Sequence, residues 1–458
     1  MTKNNLVPYG RADLFVAPLL DNLFYAFNPL GNAGVVILDE ASQQLFDGFQ
    51  RPSTIPAALN SLNNPPGAAA AIRKLIDLQL LIPAGCQPAI QSGPPQTLTA
   101  WLHVTNACNL RCPYCYLHKT PEQMELAHGR LAIDAIFRSA INNHFRRVKM
   151  KYAGGEATLN MKTVVVLHQY AHELAEKHNL ELDGVVLSNG VSFGPHIINI
   201  FRESGLRLMI SLDGVGAVHD SQRPLRNGGG SFARIERNLQ NLQTTGILPT
   251  ISVTITNRNL PGLAETVRYL LERQLPFSLN FYRENDCAGS FTDLAYSDQE
   301  IIATMQAAFA VIEESLPPYS LLGSILDRTH LDTPHERPCG VGQNYLVIDQ
   351  NGQIAKCHME IERSIANIQV ADPLALLQAD TIHLQNPSVD EKEGCRDCAW
   401  RYWCAGGCPA LTYRITGRYD VKSPNCHIYQ ALFPAVLRLE ALRILEHNRK
   451  SLVSDVDD

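Results

Sequence analysis

Hydrophobic positions along the middle of the chain follow two alternating periods. Six short runs of apolar and β-branched residues have the length and composition of strands. Between them, apolar residues recur every three or four positions, as in amphipathic helices. This alternation predicts an α/β fold in which six βα repeats build a parallel sheet, curved or open, within residues 100–330. The strand-like runs are AWLHVTN, RVKMKYAGG, DGVVLSNG, LRLMISLDG, PTISVTITN and FSLNFYREN.

The first 90 residues carry a different pattern. FYAFNP and GVVILDE have the composition of two short strands joined by an Asn/Gly turn. Three helical patterns follow, namely ASQQLFDGF, TIPAALNSL and GAAAAIRKLIDLQLLI. A stretch rich in Pro, Gln and Ser then predicts a linker, placed at residues 91–99. This order predicts a separate small domain over residues 1–90.

Periodicity weakens after residue 330. Residues 331–430 are rich in cysteine, and Asn351-Gly352 predicts the turn of one hairpin. Residues 431–458 hold most of an amphipathic helical pattern, IYQALFPAVLRLEALRILEHNRK, which we expect to pack against the body of the protein. The acidic end, SDVDD, is expected to fray.

Composition and charge exclude several classes of partner. Hydrophobic residues make up 45% and charged residues 18% of the 458 residues, as in ordinary globular proteins. The net charge is −6 without long basic runs, so neither nucleic acid nor an anionic membrane is an expected partner. The N-terminal sequence lacks the pattern of a signal peptide, and no stretch reaches the ~18 apolar residues of a spanning helix. We therefore expect a cytoplasmic protein.

The twelve cysteines are the strongest chemical signal. Ten fall in two dense groups, which favours metal or iron–sulfur ligation over disulfides; Cys86 and Cys287 stand apart. Cys108, Cys112 and Cys115 lie within eight residues and have no adjacent fourth cysteine. Three thiolates suit a [4Fe–4S] cluster with one open coordination position, and the alternative is a zinc site with a distant fourth ligand.

Glycines and polar residues follow the predicted strands at their carboxyl ends. The three cysteines follow the first strand, GGE ends the second, SNG the third and SLDG the fourth. Active sites of parallel sheets gather at this edge. In this order the motifs resemble the radical S-adenosylmethionine (SAM) superfamily, whose members bind SAM at a [4Fe–4S] cluster held by three cysteines.

This resemblance implies a partial (β/α)6 barrel and a set of SAM contacts. SAM would be the missing fourth ligand of the cluster. Tyr114 would lie against the adenine, the GGE backbone would receive the amino group, and Arg223 would help to hold the carboxylate. The residues carried over by position are Tyr114, Gly154, Gly155, Glu156, Ser188, Asn189, Ser211, Asp213 and Arg223.

The second group of cysteines resembles the SPASM extension of radical SAM enzymes, which binds two auxiliary [4Fe–4S] clusters. Two structural zinc sites are the alternative. Auxiliary cluster I is one ligand short, so His335, Glu336, Cys287 or a substrate atom could complete it. By position, cluster I would take Cys339, Cys357 and Cys408, and cluster II would take Cys395, Cys398, Cys404 and Cys426.

The resemblance implies a maturase of ribosomal peptides with three [4Fe–4S] clusters and SAM as cofactors. It would abstract a hydrogen atom from a precursor peptide and install an oxidative crosslink, either a carbon–carbon cyclophane or a thioether. The N-terminal pattern resembles a winged-helix-like leader-recognition domain, which binds the leader as an added strand; a structural cap is the alternative. The implied partners are a precursor peptide with its leader and a reducing donor of flavodoxin or ferredoxin type.

Other activities stay open at this point. Epimerisation and backbone excision occur in the superfamily, and a sulfatase-maturing (formylglycine-forming) enzyme would carry an acidic residue where this chain has His358. A non-enzymatic alternative is an iron–sulfur electron-transfer or leader-presenting protein. The catalytic base is unassigned. Its candidates are Glu284, His358, Asp286 and Tyr282, and Cys287 is a further candidate near the substrate.

Overall fold

A computed structural model describes residues 7–86 and 93–454, with side chains as far as residue 447. Residues 91–92 of the predicted linker and residues 455–458 of the tail predicted to fray lie outside the described residues. No helix within the described ranges combines the length and apolar character that a membrane span requires.

The described N-terminal residues contain five strands and three helices. In chain order they are β1 (Tyr9–Arg11), β2 (Phe15–Leu20), β3 (Leu23–Phe27), β4 (Val35–Asp39), α1 (Glu40–Asp47), α2 (Ile55–Ser61), α3 (Ala68–Asp77) and β5 (Leu81–Pro83). β2, β3 and β4 form an antiparallel sheet in that order, and β1 pairs with β5. The three predicted helices are present, whereas the prediction of two strands was incomplete.

Local turn geometry explains the missed strands. Asp21 has a φ of 38°, in the left-handed region that Asp tolerates, so β2 returns into β3 through a two-residue turn. The third helical pattern continued to residue 82, but α3 ends at Asp77. Gln79, with a φ of 55°, redirects the chain into β5. The apolar residues at the end of that pattern therefore belong to a strand.

The middle of the chain forms the predicted βα repeats. In chain order they are β6 (Thr97–Thr105), α4 (Leu126–Asn142), β7 (Arg147–Gly154), α5 (Met161–Lys177), β8 (Glu181–Ser188), α6 (Pro195–Ser204), β9 (Arg207–Ser211), α7 (Ala217–Gln222), α8 (Phe232–Thr244), β10 (Thr250–Ile255), α9 (Leu263–Glu272) and β11 (Phe277–Phe281). All five strand pairings from β6 to β11 are parallel. The predicted α/β class and its six-stranded parallel sheet are confirmed.

The two faces of these strands differ in polarity. Met150 and Tyr152 on β7 are fully buried in the same core as Ile133 of α4 and Leu167 of α5. Successive side chains on a strand point to opposite faces. The residue between them, Lys151, therefore faces the inside of the curved sheet, where a site can form.

The cysteine-rich region is continuous with the barrel sheet. After β11, α10 (Asp298–Glu314) leads to this region, whose elements are β12 (Tyr345–Ile348), β13 (Gln353–Ala355), β14 (Ala366–Asn367), α11 (Pro373–Ala379), α12 (Arg401–Cys404) and α13 (Pro409–Thr416), and α14 (Cys426–Ser454) follows. β12 pairs in parallel with β6, and β13 and β14 add antiparallel strands beyond it. The predicted hairpin is present, with Gly352 at a φ of 78°. The sequence did not predict that it extends the barrel sheet.

The last helix packs against the first domain. Tyr25, Phe27 and Val35 of the N-terminal sheet share a buried core with Phe433 and Val436 of α14, and the Tyr25 hydroxyl donates to a carbonyl of α14 at 3.3 Å. The opposite face of the sheet packs on α1 and α3. The N-terminal sheet therefore lies between its own helices and α14.

Candidate active site and cysteine-lined cavities

The three-cysteine loop begins directly after β6. The sulfur of Cys108 receives two polar contacts. The backbone N–H of Leu110 donates to it at 3.4 Å, and the side-chain nitrogen Nδ2 of Asn189 lies 3.9 Å from it. Burial raises the pKa of Cys112 to about 11, although Arg223 opposes this shift. The loop thus holds partly buried thiols at the carboxyl edge of the sheet, where the sequence predicted them.

Two glycines allow the end of β7 to lie directly against this loop. A Cβ on Gly154 would stand 2.3 Å from the Thr105 carbonyl oxygen, and one on Gly155 would stand 2.3 Å from that of Ala107. The Gly155 amide donates to Thr105 at 2.8 Å, and the Glu156 amide donates to Ala107 at 2.9 Å. Any side chain at either position would push the cysteine loop away from the sheet.

Glu156 ties the ends of two neighbouring strands together. Its carboxylate is 2% exposed and accepts hydrogen bonds from the Thr158 amide at 3.2 Å and hydroxyl at 2.6 Å. It also accepts from the Ser188 hydroxyl at 2.7 Å and the Asn189 amide at 2.6 Å. The Asn189 side chain in turn donates to Asn109 in the cysteine loop at 2.7 Å. The structure therefore brings the predicted GGE and SNG motifs into one network around the loop.

Tyr114, Asp213 and Arg223 form a buried polar group beside the loop. The Tyr114 hydroxyl donates to Asp213 and accepts from Arg223, and Arg223 Nη1 lies 3.3 Å from Asp213. The second carboxylate oxygen of Asp213 accepts from the Thr254 amide at 2.8 Å. Burial raises the pKa of Tyr114 well above its ordinary value. Within the described residues Arg223 Nε is buried without a partner, so one donor there is left for a ligand.

Ser211 does not join this group. It lies on the inner face of β9, where its register partner is Ser252 of β10. Ser211 is the last residue of β9, one position beyond Ile210, which is the register partner of Ser188.

His219 and Ser231 complete the support of Arg223 and were not assigned from the sequence. His219 Nδ1 accepts from the Asp213 amide at 3.2 Å, its Nε2 lies 3.1 Å from the Ser231 hydroxyl, and Ser231 donates to the Arg223 carbonyl at 2.6 Å. Burial lowers the pKa of His219 to about 3, so the ring is neutral. The adjacent sequence HDSQR was the signal that could have identified this histidine.

A cavity of about 310 Å³ opens where the barrel meets the cysteine-rich region, and we call it the barrel-side cavity. Cys339, Cys357 and Cys408, the three residues carried over to auxiliary cluster I, all line it. Lys151 and Arg328 line the same cavity and were missed by sequence reasoning. The alternation of Lys with apolar residues in RVKMKY was an available signal for Lys151, because it places lysines on one face of the strand.

Positive charge surrounds the thiol of Cys408. Burial alone would raise its pKa, but Arg283 and Arg328 together lower the pKa below the ordinary value. Arg283 is held by Asp327 at 2.6 and 2.8 Å. Burial lowers the pKa of Lys151 in the same cavity to about 8. The barrel-side cavity is therefore suited to an anionic group ligated by thiolates.

A second, smaller cavity is lined by the other four cysteines, and we call it the C-terminal cavity. Burial raises the pKa of Cys404 to about 12 and that of Cys395 to about 11. The Gln430 amide nitrogen lies 3.8 Å from the sulfur of Cys398. The structure thus separates the seven cysteines into the sets of three and four that the resemblance implied. The set of four is Cys395, Cys398, Cys404 and Cys426.

Thiolates are ligands of more than one kind of metal site. Within residues 7–86 and 93–454, no group of three His, Cys, Asp or Glu side chains is close enough to hold one metal ion. A zinc site would draw its sulfur ligands to about 2.3 Å from one atom. The seven thiols that line the two cavities are the ligand type that both structural zinc sites and iron–sulfur clusters use.

His358 lies deepest among the candidate bases. Its ring stacks on Trp101 with centroids 4.4 Å apart, and Nδ1 lies 3.0 Å from the Tyr345 hydroxyl. Burial lowers its pKa well below the ordinary value, and Arg328 and Lys151 add to the shift. His358 lines the barrel-side cavity beside Cys357 and is neutral there.

The other candidates lie nearer the surface. Glu284 and Asp286 line an open cavity of about 250 Å³ beyond β11, and Arg414 pairs with Asp286 at 2.8 Å. Burial raises the pKa of Tyr282, and Glu284 adds to the shift. The thiol of Cys287 donates to the Tyr116 carbonyl at 3.2 Å. None of these four is among the described residues that line the barrel-side cavity.

The candidate fourth ligands of cluster I are placed differently from one another. Cys287 contacts the cysteine loop at Tyr116, while the His335 amide donates to the Tyr402 carbonyl at 2.7 Å. The described lining of the barrel-side cavity includes neither of them, nor Glu336, but it does include His330. Sequence reasoning had not considered His330.

Comparison with known proteins gives matches over large parts of the chain. The radical SAM superfamily model matches residues 102–270. An uncharacterised protein of Methanocaldococcus jannaschii is 30% identical over 171 residues, or 37% of this chain. The chain spans 57% of the length of that relative. The antilisterial bacteriocin subtilosin biosynthesis protein AlbA of Bacillus subtilis is 25% identical, over 69% of this chain and 67% of its own length.

Two solved structures share the fold over most of the chain. One is native anSMEcpe with bound AdoMet and a Cp18Cys peptide, with a TM-score of 0.59 and 18% identity, covering 76% of this chain and 99% of that one. The other is SuiB of Streptococcus suis bound to the precursor peptide SuiA, with a TM-score of 0.52 and 15% identity, covering 90% of this chain and 98% of that one.

Proposed function

Because the chain carries a radical SAM domain, we propose that it is a radical SAM maturase that modifies a ribosomally made precursor peptide. The observation that carries this proposal is the separation of ten cysteines into a three-thiol loop, a three-thiol cavity and a four-thiol cavity. The modification we propose is an oxidative crosslink, either carbon–carbon or thioether. An external reductant of flavodoxin or ferredoxin type would supply the electron.

The cofactor sites follow from the residues present. Cys108, Cys112 and Cys115 would hold a [4Fe–4S] cluster that binds SAM, and the two cavities would hold auxiliary clusters. When bound, SAM and its cluster supply a 5′-deoxyadenosyl radical that takes a hydrogen atom from an unactivated carbon. The chain's own residues hold the loop in place and present the unpaired Nε donor of Arg223. Tyr114 and Asp213 keep that guanidinium fixed.

The substrate would lie between the loop and the barrel-side cavity. The inner face there carries Trp101 and His358, stacked on each other, with Lys151 beside them. Aromatic faces position a substrate and exclude water. His358 lies on this inner face, whereas Glu284 lies at the outer, open cavity. We therefore favour His358 over Glu284 as the base.

A peptide substrate is supported by the relatives. AlbA is named for bacteriocin biosynthesis, and SuiB is bound to a precursor peptide. The three-stranded sheet followed by three helices in this chain agrees with a leader-recognition role. β4 ends this sheet and, among the described strands, pairs only with β3. Its free edge is where we propose that a leader adds as a further strand.

Mass spectrometry of a co-expressed peptide tests the activity. This protein is produced anaerobically with each short open reading frame beside its gene. We expect a peptide two mass units lighter per crosslink, and no change with Cys108, Cys112 and Cys115 all replaced by Ala. The triple variant should keep iron in the two cavities. Retained 5′-deoxyadenosine formation by that variant would refute the assignment.

A proline scan of the leader tests strand addition. Binding is followed by fluorescence anisotropy of the labelled leader. Since a strand donates to its neighbour through every second residue, proline should weaken binding with a two-residue period. A period of three to four would indicate a helix in a groove, and no effect would leave the N-terminal domain as a cap. Deleting residues 1–90 is less informative, because it would uncover Trp403, which packs on Phe27 at 4.7 Å.

The sulfatase-maturing alternative rests on a relative: a cysteine-type anaerobic sulfatase-maturating enzyme of Clostridium novyi is 23% identical over 66% of this chain. That reaction oxidises one Cys or Ser of a protein, so conversion of a sulfatase peptide with no change in neighbouring precursor peptides would favour it. A purified protein that binds iron but forms no 5′-deoxyadenosine would indicate the electron-transfer or leader-presenting alternative.

A further inference from the structure

Lys392 is a buried lysine without a carboxylate partner among its hydrogen bonds in the described residues. Its side chain is 1% exposed, and fully buried lysines are rare unless they are paired. Its ammonium nitrogen donates to the Ala405 carbonyl oxygen at 3.0 Å. A neutral carbonyl satisfies one of the three N–H groups of an ammonium ion but does not balance its charge.

The carbonyl that holds Lys392 belongs to a segment joining the two cysteine sets. Cys404 lines the C-terminal cavity and Cys408 lines the barrel-side cavity, so residues 404–408 carry one ligand of each set. The three residues between them have φ values of 45°, 74° and 68°. Such a left-handed run is unusual and directs the carbonyl of Ala405, a non-glycine residue, toward the lysine.

The lysine side chain fills the space that Gly406 leaves. A Cβ on Gly406 would stand 2.6 Å from Lys392 Cδ and 2.8 Å from its Nζ. Gly406 itself lines the C-terminal cavity. The ammonium group of Lys392 therefore lies directly behind the wall of that cavity. The backbone of Gly406 packs against the lysine side chain, and the carbonyl oxygen of Ala405 accepts a hydrogen bond from its ammonium group.

The charge of Lys392 acts on both cysteine sets. Burial lowers its pKa, and the thiolates of Cys395 and Cys404, followed by those of Cys339 and Cys408, oppose this shift. The first two belong to the C-terminal cavity and the last two to the barrel-side cavity. Among the neighbouring cations, Arg283 and Arg328 lower the pKa values of thiols in the barrel-side set, and the exposed Lys422 lowers those of thiols in the C-terminal set.

We propose that the Lys392 ammonium group is an electrostatic element shared by the two auxiliary clusters, which raises the reduction potential of both. This inference rests on the proposed function. Uptake of one electron makes a cluster more negative by one charge, while Lys392 keeps its charge and no proton moves. A fixed cation in a poorly solvated place therefore favours the reduced state of each cluster. Lys392 acts through the clusters and is not itself a catalytic residue.

The test is a redox titration of the full-length, anaerobically reconstituted protein. Lys392→Met removes the charge with a side chain that tolerates burial, and Lys422→Gln is the matched control at an exposed lysine. Cys108, Cys112 and Cys115 are replaced by Ala in every sample, so that electron paramagnetic resonance at one pH reports the auxiliary clusters. We expect Lys392→Met to lower the reduced-to-oxidised ratio of both clusters about tenfold at a fixed potential, a shift of about 59 mV. The control should change one cluster, by less than about threefold.

Each outcome decides the proposal. Unchanged potentials in Lys392→Met, or a shift of one cluster alone, would overturn it. If Lys392→Met fails to retain iron, Lys392→Arg keeps the charge: retention of both clusters with wild-type potentials supports the proposal, and loss of iron in both variants overturns it in favour of a packing role. Absence of auxiliary clusters from the protein with native Lys392 would instead contradict the proposed function.

Discussion

Replacing Glu156 with glutamine tests whether this carboxylate holds the ends of β7 and β8 together. The carboxylate accepts four hydrogen bonds, three of them at Oε1, and the one from the Asn189 amide is at Oε2. Glutamine keeps one oxygen. If that oxygen faces Thr158 and Ser188, the amide nitrogen must face the Asn189 N–H, which is also a donor. One buried N–H is then left without an acceptor.

The cost can be worked out from these contacts. An unsatisfied buried N–H costs about 1–3 kcal/mol, and the three bonds that lose charge assistance cost roughly 1 kcal/mol each. Local opening of the two strand ends should therefore become easier by at least about 4 kcal/mol, or roughly 1000-fold. Because the Asn189 amide donates to Glu156 directly, its hydrogen exchange reports this opening.

The assay is hydrogen exchange followed by mass spectrometry on peptides that contain residues 186–192. Glu181→Gln is the matched control, because Glu181 is exposed and pairs with Arg147 at the other end of the sheet. We expect it to change exchange by no more than about threefold. An increase below about tenfold in Glu156→Gln would refute the inference that this carboxylate ties the strand ends.

Three further predictions concern Gly155, two buried histidines and Trp403. Gly155→Ala would place a Cβ 2.3 Å from the Ala107 carbonyl oxygen, so iron should be lost from the three-cysteine loop alone; iron analysis showing full occupancy would contradict this. His103 and His219 are buried, and their pKa values in the folded protein are lowered to about 4 and about 3. In the unfolded chain a histidine has a pKa of about 6.5, so between pH 7 and pH 5 the unfolded state binds more protons than the folded state. Denaturant titrations should therefore show the free energy of unfolding falling by about 2 kcal/mol per histidine from pH 7 to pH 5. His219→Asn should remove about half of that pH dependence, and an unaltered slope would count against it. Trp403→Ala should loosen the N-terminal sheet by about 3–5 kcal/mol, because Trp403 donates to the Pro29 carbonyl at 2.5 Å and packs on Phe27; unchanged hydrogen exchange in β2–β4 would oppose this.

The barrel could be predicted because its signals are local. In a strand such as PTISVTITN, alternation of apolar and polar residues shows which face is buried. In a helix, apolar residues repeating every 3.6 positions show the buried side. The residues at the strand ends then fall together, because parallel strands present their carboxyl ends at one edge. Tyr114, Asp213 and Arg223 do meet there.

What the sequence did not reveal depends on contacts between distant segments. Glu156 was predicted to contact SAM, yet its three hydrogen-bonding partners, Thr158, Ser188 and Asn189, are visible only in three dimensions. Lys392 lies in an ordinary polar stretch, and only the fold shows that it is buried against Ala405. The pairing of β12 with β6 joins segments about 250 residues apart, for which no local pattern exists.

The packing of α14 on the N-terminal sheet has a consequence for synthesis. The sheet face that carries Tyr25 and Phe27 leaves the ribosome about 400 residues before the side chains that cover it, Phe433 and Val436. At a translation rate of about 5–20 residues per second, this apolar face stays uncovered for roughly 20–80 s before α14 is synthesised. A nascent chain therefore exposes this face to chaperones or to other chains until α14 has been synthesised. A slower rate of translation lengthens this exposure. We therefore expect the yield of native protein to fall as the synthesis of α14 is delayed.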